Sequence, residues 1–483
     1  MRLYNTVARA VVEFEPLVAG RISMYVCGPT VYAPPHLGHG RTSISFDLIR
    51  RYLVFAGWDV RFVSNYTDVD DKIIARARDE GVSPEAVARE YERVWDDAMA
   101  RLRVLPPDVA PRATEHVGAM VALIEALVDS GHAYAVDSAV DSAVDSGTGA
   151  NAGDVLFSVR SFGAYGKLSH QSIDALDAGA RVDPGEHKRD PLDFALWKAA
   201  KEGEPSWPSP WGPGRPGWHI ECSAMAAAYC GHPFDIHGGG SDLIFPHHEN
   251  EIAQSESVDG VEFARYWLHS GMVNLEGAKM SKSTGHFLSL EDALERYSPE
   301  AIRLLVAQTH YRNQLDFTPA LVAECEAAVD RLAIVCERVA EALGLDAGTL
   351  MDAPAVAGAA ADDDAMTAFR AAMDDDFHTP AATAVLFDVV KRANAAVDSG
   401  DTTELAPLLR AIAAMDSVLQ VVPPPAQGDG ALAGVMELVL ELRQRAREEK
   451  DYATADRIRE RLAEAGISVE DSAEGAKWRR RRR

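Results

Sequence analysis

The chain has 483 residues, 47% of them hydrophobic and 7% aromatic, which sets aside disordered and fibrous classes and allows about two to four domains with cores of their own. No apolar run approaches membrane-spanning length, and acids interrupt the N-terminus before a signal-peptide core develops, so the sequence is read as cytoplasmic. A net charge of −26 argues by itself against nucleic-acid binding, but the acidity is spread along the chain and only ten of the 48 basic residues are lysine.

That dispersed charge describes the solvent more than the partner: it fits a salt-loaded cytoplasm, although high-GC coding also favours arginine over lysine. It sets the expectation that stability depends on salt, which thermal unfolding in low-salt buffer tests. The five cysteines are odd in number and scattered, so no disulfide framework is expected, and Cys230, Cys325 and Cys336 read as buried structural thiols.

In chain order, residues 23–27 (SMYVC) predict a buried strand closed by Gly28-Pro29. A helix is expected over 38–55, with Ile44, Leu48, Leu53 and Phe55 at its apolar positions. A second strand follows over 60–63 and a helix over 70–80. Strand, helix, strand, helix indicates an α/β fold with a parallel sheet. Residues 110–216 read as an insertion. It contains a tandem AVDS repeat over 135–146 followed by GTGANAG, an acidic small-residue stretch expected to form a mobile loop over 135–153 without chemistry. Residues 201–217, rich in Pro, Trp and Gly, read as a shaped loop. The α/β pattern resumes at 234–237 (FDIH). From about 299 the chain is expected to be helical, with periodic stretches over 321–343, 364–396 and 403–419 forming an antiparallel bundle. The run from Pro423 to Gly430 is a linker, and a small final unit follows, with one charged helix near 443–465 and an end of Trp478 and five arginines.

Four groups of residues carry chemistry. Pro35-His36-Leu37-Gly38-His39 follows a strand and opens a helix. Glycine there lets a backbone approach a phosphate, and two imidazoles with free helix amides suit an anion; alone, the same residues also read as a capped helix start. Lys279-Met280-Ser281-Lys282-Ser283 can neutralise a polyphosphate, and in so lysine-poor a chain an ordinary basic loop is a weaker reading. Gly238-Gly239-Gly240-Ser241-Asp242, after a strand, lets a nucleotide approach the backbone and offers an acid to ribose hydroxyls; a tight turn is the alternative. Finally, His247 and Glu251 share one helix face at i,i+4, and two thiolates, Cys27 and Cys222, with an imidazole and a carboxylate suit Zn²⁺. His248 is the poorer ligand by spacing, because its i+4 neighbour is Ile252. On spacing alone these residues also read as buried thiols and a capped helix.

HLGH early and KMSKS late, separated by an insertion, resemble the two signatures of class I aminoacyl-tRNA synthetases. The motifs CGPTVY (27–32), TDVDDK (67–72), GWHIECSAM (217–225) and FPHHENE (245–251) make the whole chain similar to the cysteinyl-tRNA synthetase family. Leu37 stands where isoleucine is more usual, Thr284-Gly285-His286 replaces the commoner Gly-Asn, and the AVDS repeat has no expected counterpart. The resemblance implies an α/β, Rossmann-type catalytic domain in two halves, 1–109 and 217–298. The connective insertion is 110–216, the helical tRNA-binding bundle 299–420, the linker 421–430 and the small anticodon-recognition domain 431–483. It implies Cys27, Cys222, His247 and Glu251 as ligands of one Zn²⁺, with Trp218 and Thr67 at the substrate cysteine. His36, Gly38, His39, Gly239, Asp242, Lys279 and Lys282 fall to ATP, and His36, His39, Lys279 and Lys282 to catalysis. Mg²⁺ would come with ATP, and L-cysteine and tRNA(Cys) would be the other partners of a monomer. Two rivals share these motifs: a cysteine ligase acting on a small amine, and a catalytically silent RNA-binding paralogue.

Overall fold

A computed structural model describes residues 1–136, 153–173, 188–275, 278–279, 288–345, 361–424, 430–472 and 475–480. The chain opens with an antiparallel hairpin, β1 (Arg2–Asn5) and β2 (Ala10–Glu13). β3 (Arg21–Val26) follows, with Ile22, Met24, Tyr25 and Val26 buried, as a strand covered on both faces requires. At its end Gly28 is obligatory: a Cβ there would sit 1.7 Å from the Asn65 carbonyl oxygen. The chain then enters α1 (Leu37–Phe55) and returns through β4 (Asp59–Ser64), parallel to β3. α2 (Asp71–Glu80) starts on an Asp70 cap, and α3 (Pro84–Arg101) starts on a Ser83 cap with proline at its first position.

The insertion contributes α4 (Val117–Asp129) and a separate antiparallel sheet of β5 (Ala133–Ala135), β6 (Val155–Phe157), β7 (Phe194–Ala199) and β8 (Gly214–Pro216), in that order. Asp71 at the start of α2 ties this sheet down, bonding Lys198 Nζ at 2.7 Å and the Arg215 guanidinium. The first two residues of the AVDS repeat, Ala135 and Val136, continue the β5–β6 pairing, Val136 N–H donating to the Asp154 carbonyl at 2.9 Å, and the rest of the repeat, from Asp137, lies outside the described residues.

α5 (Trp218–Cys230) leads back to β9 (Phe234–Gly240), and α6 (Glu249–Asp259) to β10 (Ala264–Ser270). The main sheet has the order β10-β9-β3-β4, parallel throughout. The chain winds outward from β3 in one direction, then from β9 in the other. The crevice at the carboxyl ends of β3 and β9 is therefore the switch point where such sheets bind ligands.

β11 (Val273–Leu275) and β12 (Ala278–Lys279) form a hairpin. α7 (Leu290–Arg296) and α8 (Pro299–Ala307) precede β13 (Leu315–Phe317), which pairs parallel to β11. The bundle is α9 (Pro319–Leu343), α10 (Asp363–Met373), α11 (Thr379–Ser399) and α12 (Leu405–Leu419). One apolar cluster runs from Met24, Ile44 and Leu48 to Leu332, Leu386 and Leu409, so sheet and bundle share a core. α13 (Gly430–Glu448), α14 (Tyr452–Glu464) and the hairpin β14 (Ile467–Ser472) with β15 (Gly475–Arg480) complete the chain. No helix among the described residues is long and apolar enough to cross a membrane.

Three sequence expectations are corrected. The helical region from 299 is interrupted by β13, which periodicity misses because its partner strand lies some forty residues earlier (roughly one supersecondary unit). The expected helix over 364–396 breaks after Met373, where Asp376 and Phe377 take left-handed φ of 58° and 51°. The charged helix over 443–465 is two helices, turned at Lys450 (φ 63°) and restarted on an Asp451 cap.

Candidate active site and metal centre

The switch-point crevice opens into a cleft of about 930 Å³ lined by Cys27, Thr30, His36, His39, Trp218 and Asp242, among others. Cys27 is the first residue past β3, its N–H bonded to the Gly238 carbonyl of β9 at 3.1 Å. Cys222 lies one turn into α5, and His247 and Glu251 lie on the helical turns that enter α6; these three are buried. Together they bring four donors to one point. The Cys27 and Cys222 sulfurs are 3.6 Å apart, Cys27 Sγ is 3.5 Å from Glu251 Oε1, and His247 Nε2 is 3.0 Å from that same oxygen. One donor atom from each residue lies within 4.8 Å of those of the other three.

The electrostatics fit a dication. Burial, reinforced by Cys222, pushes the Cys27 thiol well above its ordinary value, while the bond it donates pulls Cys222 down to about 6. Burial opposes charge on His247 and on Glu251 alike. Glu251 and Cys222 nonetheless push His247 up to about 10, and His237 and His247 hold the Glu251 carboxyl well below the usual range. Two sulfurs and a carboxylate crowded out of water are costly unless a cation neutralises them. Soft thiolates with one imidazole and one carboxylate are a zinc donor set.

Neighbours fix these side chains. His219 Nδ1 meets His247 Nδ1 at 2.9 Å, which leaves His247 Nε2 toward the cluster. Trp218, 38% exposed, stacks on the His247 ring at 4.2 Å. His237 Nε2 bonds Glu251 Oε2 at 2.8 Å, and His248 Nδ1 meets His269 Nε2 at 2.8 Å. Sequence spacing favours His247 over His248, yet His248 Nε2 comes within 3.9 Å of Glu251 Oε1 at i,i+3, and Cys27, His237, His248 and Glu251 form a second donor grouping. His219 and His237 escape the sequence reading. The only local signals for them are their places in WHIEC and FDIH.

At the other wall, His36 caps α1. Its Nδ1 accepts the N–H groups of Gly38 (3.1 Å) and His39 (3.4 Å), while His39 Nδ1 accepts the His36 N–H at 3.2 Å. The two rings stack at 3.7 Å. With both Nδ1 atoms accepting, each neutral ring carries its proton on Nε2, a donor suited to an anionic oxygen. Gly38 and Asp242 line the cleft. Gly239 underlies it, where a Cβ would sit 2.9 Å from the His248 ring and from Leu243. Thr67 is not in the lining: it is buried, 3.4 Å from Asn65 Nδ2. Lys279 is on β12, and Lys282 with the rest of KMSKS lies outside the described residues.

Comparison with known proteins gives this geometry a family. Residues 13–327 match the tRNA synthetases class I (C) catalytic domain, 368–422 the DALR domain and 429–479 the cysteinyl-tRNA ligase anticodon binding domain. The chain is 45% identical to a cysteine–tRNA ligase of Desulforudis audaxviator, covering 99% of this chain and 100% of that one. It is 44% identical to one of Geobacillus thermodenitrificans, covering 99% of each. Among solved structures it shares the fold of Mycobacterium tuberculosis methionyl-tRNA synthetase in complex with methionyl-adenylate, with TM-score 0.56 and 18% identity over 83% of this chain and 90% of that one. With the catalytic, DALR and anticodon-binding models matched in order along the chain and a 45% identical relative covered end to end, the chain belongs to the cysteine–tRNA ligase family of class I aminoacyl-tRNA synthetases.

Proposed function

We propose that the enzyme joins L-cysteine to ATP as cysteinyl-adenylate and passes the cysteinyl group to tRNA(Cys), working as a monomer in the cytoplasm. Cys27, Cys222, His247 and Glu251 hold one Zn²⁺. When bound, the ion supplies a soft acceptor that a thiolate satisfies and the hydroxyl of serine does not. Each 1.4 kcal/mol of that difference is worth about tenfold in selectivity, beyond the limited discrimination that pocket shape gives between near-isosteres. Trp218 closes the cysteine pocket. Thr67, buried behind the lining, supports it through Asn65 rather than by touching substrate.

In the first step the cysteine carboxylate attacks the α-phosphorus of ATP and pyrophosphate leaves. His36 and His39 donate from Nε2 to phosphate oxygens at the start of α1, where the helix also presents backbone amides. Lys279 and Lys282 neutralise the departing pyrophosphate, and Gly38 and Gly239 give the nucleotide room at the backbone. Asp242 accepts from the ribose, and Mg²⁺ accompanies the ATP. In the second step a ribose hydroxyl of the tRNA's terminal adenosine attacks the activated carbonyl. The bundle and the final unit hold the tRNA, and the anticodon-binding match over 429–479 favours this acceptor over a small amine.

The observation that carries the reading is the meeting of two thiols, an imidazole and a carboxylate at Cys27, which lines the same cleft as Trp218 and the His36–His39 turn. Cys222→Ser tests it. Zinc content and cysteine-dependent ATP–pyrophosphate exchange should fall together, exchange by about 10²-fold or more, and unchanged zinc would remove Cys222 from the site.

A further inference from the structure

Arg41 lies two residues beyond His39 in α1 and is 1% exposed. No carboxylate bonds it among the described residues. Its donors go to backbone carbonyls: Nε to Gly271 at 3.3 Å, and Nη2 to His310 at 3.1 Å, Tyr311 at 3.2 Å and Asn313 at 2.7 Å. Its Nη1 has no acceptor among the described residues, and burial pulls its pKa down to about 10. A buried cation without a counter-ion is an expensive way to hold a core together, so its geometry points to another purpose.

The acceptors show what that purpose is. Gly271 lies two residues before β11 and Asn313 two before β13, and these strands pair with each other while β12, bearing Lys279, pairs with β11. One guanidinium therefore grips the starts of both strands. The junction is tight: Gly271 N–H donates to the Tyr311 carbonyl at 2.7 Å, and a Cβ on Gly271 would lie 2.1 Å from the Asn313 oxygen. On the far side Asp376 holds the same segment, accepting from Tyr311 Oη at 2.9 Å and Arg312 Nε at 2.7 Å.

We propose that Arg41 is a positioning residue for adenylate formation: it locks the β11–β12–β13 sheet, and Lys279 with it, to the helix turn that carries His36 and His39. The proposal rests on the ATP-phosphate roles given above. A rigid fork spanning four carbonyls sets the distance between the two phosphate-binding elements, and positioning errors of about 1 Å can cost about 10²-fold in rate. Transfer to tRNA does not expel pyrophosphate, so it should not need this register.

The test compares full-length, zinc-loaded Arg41→Lys with the parent. The measurements are ATP–pyrophosphate exchange and single-turnover transfer from preformed cysteinyl-adenylate, both normalised to titrated active sites. Lysine keeps the charge but offers three donors from one point. Exchange per site should fall about 10- to 100-fold, with zinc content, the KM for cysteine and transfer per site unchanged. Exchange equal to the parent, or exchange and transfer falling by one factor, overturns the proposal. Gly271→Ala, which drives the Asn313 carbonyl off an intact Arg41, should show the same selective loss and decides the matter if Arg41→Lys does not fold. Lys279→Ala separates the two readings: normal exchange there sinks the lysine's ATP role, whereas slow exchange there beside normal Arg41→Lys sinks only the positioning role.

Discussion

Cys27 and Cys222 are far apart in sequence, yet their sulfurs stand 3.6 Å from each other and beside Glu251. Without a cation the cluster offsets its charge only in part, one imidazolium against two anions. At pH 7 Cys222, with a pKa of about 6, is mostly thiolate and Glu251 is ionised, while Cys27 stays a thiol and His247, at about 10, keeps its proton. A metal held by these four residues, as proposed, would displace the protons on Cys27 and His247. Calorimetry of zinc binding to the stripped enzyme in buffers of different ionisation enthalpy should therefore register about two protons released at pH 7. Below about pH 6 Cys222 also takes up a proton, so release should grow and affinity fall as pH drops through that value. Which residues would meet was legible only through motifs, because spacing carries no information over such separations. The supporting His219 and His237 were not legible, since a histidine's role as a positioning group appears only when its partner is placed.

At the scale of elements, α1 does most to organise the site. Its first turn is capped by His36, its second holds Arg41, and its length packs against the sheet. His36→Asn separates capping from chemistry, because the short amide can still accept at the cap but lacks the Nε2 donor. The melting temperature should move little while adenylate formation slows by about 10²- to 10³-fold. Equal loss of stability and rate would mean that His36 serves only the helix. The parallel β–α–β pattern was legible because apolar strands and glycine turns are local signals. β13, the left-handed pair Asp376-Phe377 and the break at Lys450 were not, because each answers to a distant partner: β11, the Arg312–Tyr311 segment, or the packing of α13 on α14.

Over the whole molecule, the shared core joins the catalytic sheet to the bundle, and the anticodon-binding match over 429–479 begins at the end of the 425–429 stretch, which lies outside the described residues. In the sequence the final unit reads as separate because the proline-rich run from Pro423 disfavours a helix; the start of α13 at Gly430 and the β14–β15 hairpin left no such signal. Removing residues 431–483 should leave cysteine-dependent pyrophosphate exchange intact and weaken tRNA charging by about 10²-fold or more. Equal loss of both would show that the unit supports the catalytic core instead. On the proposed reading, amino-acid choice is decided at the Cys27–Cys222–His247–Glu251 cluster. The most direct measurement follows pyrophosphate exchange with cysteine and with serine as zinc is stripped by chelation and then restored. The account predicts that cysteine activation falls in proportion to bound zinc and returns with it, while serine stays inactive throughout. Full cysteine activation by metal-free enzyme would contradict it.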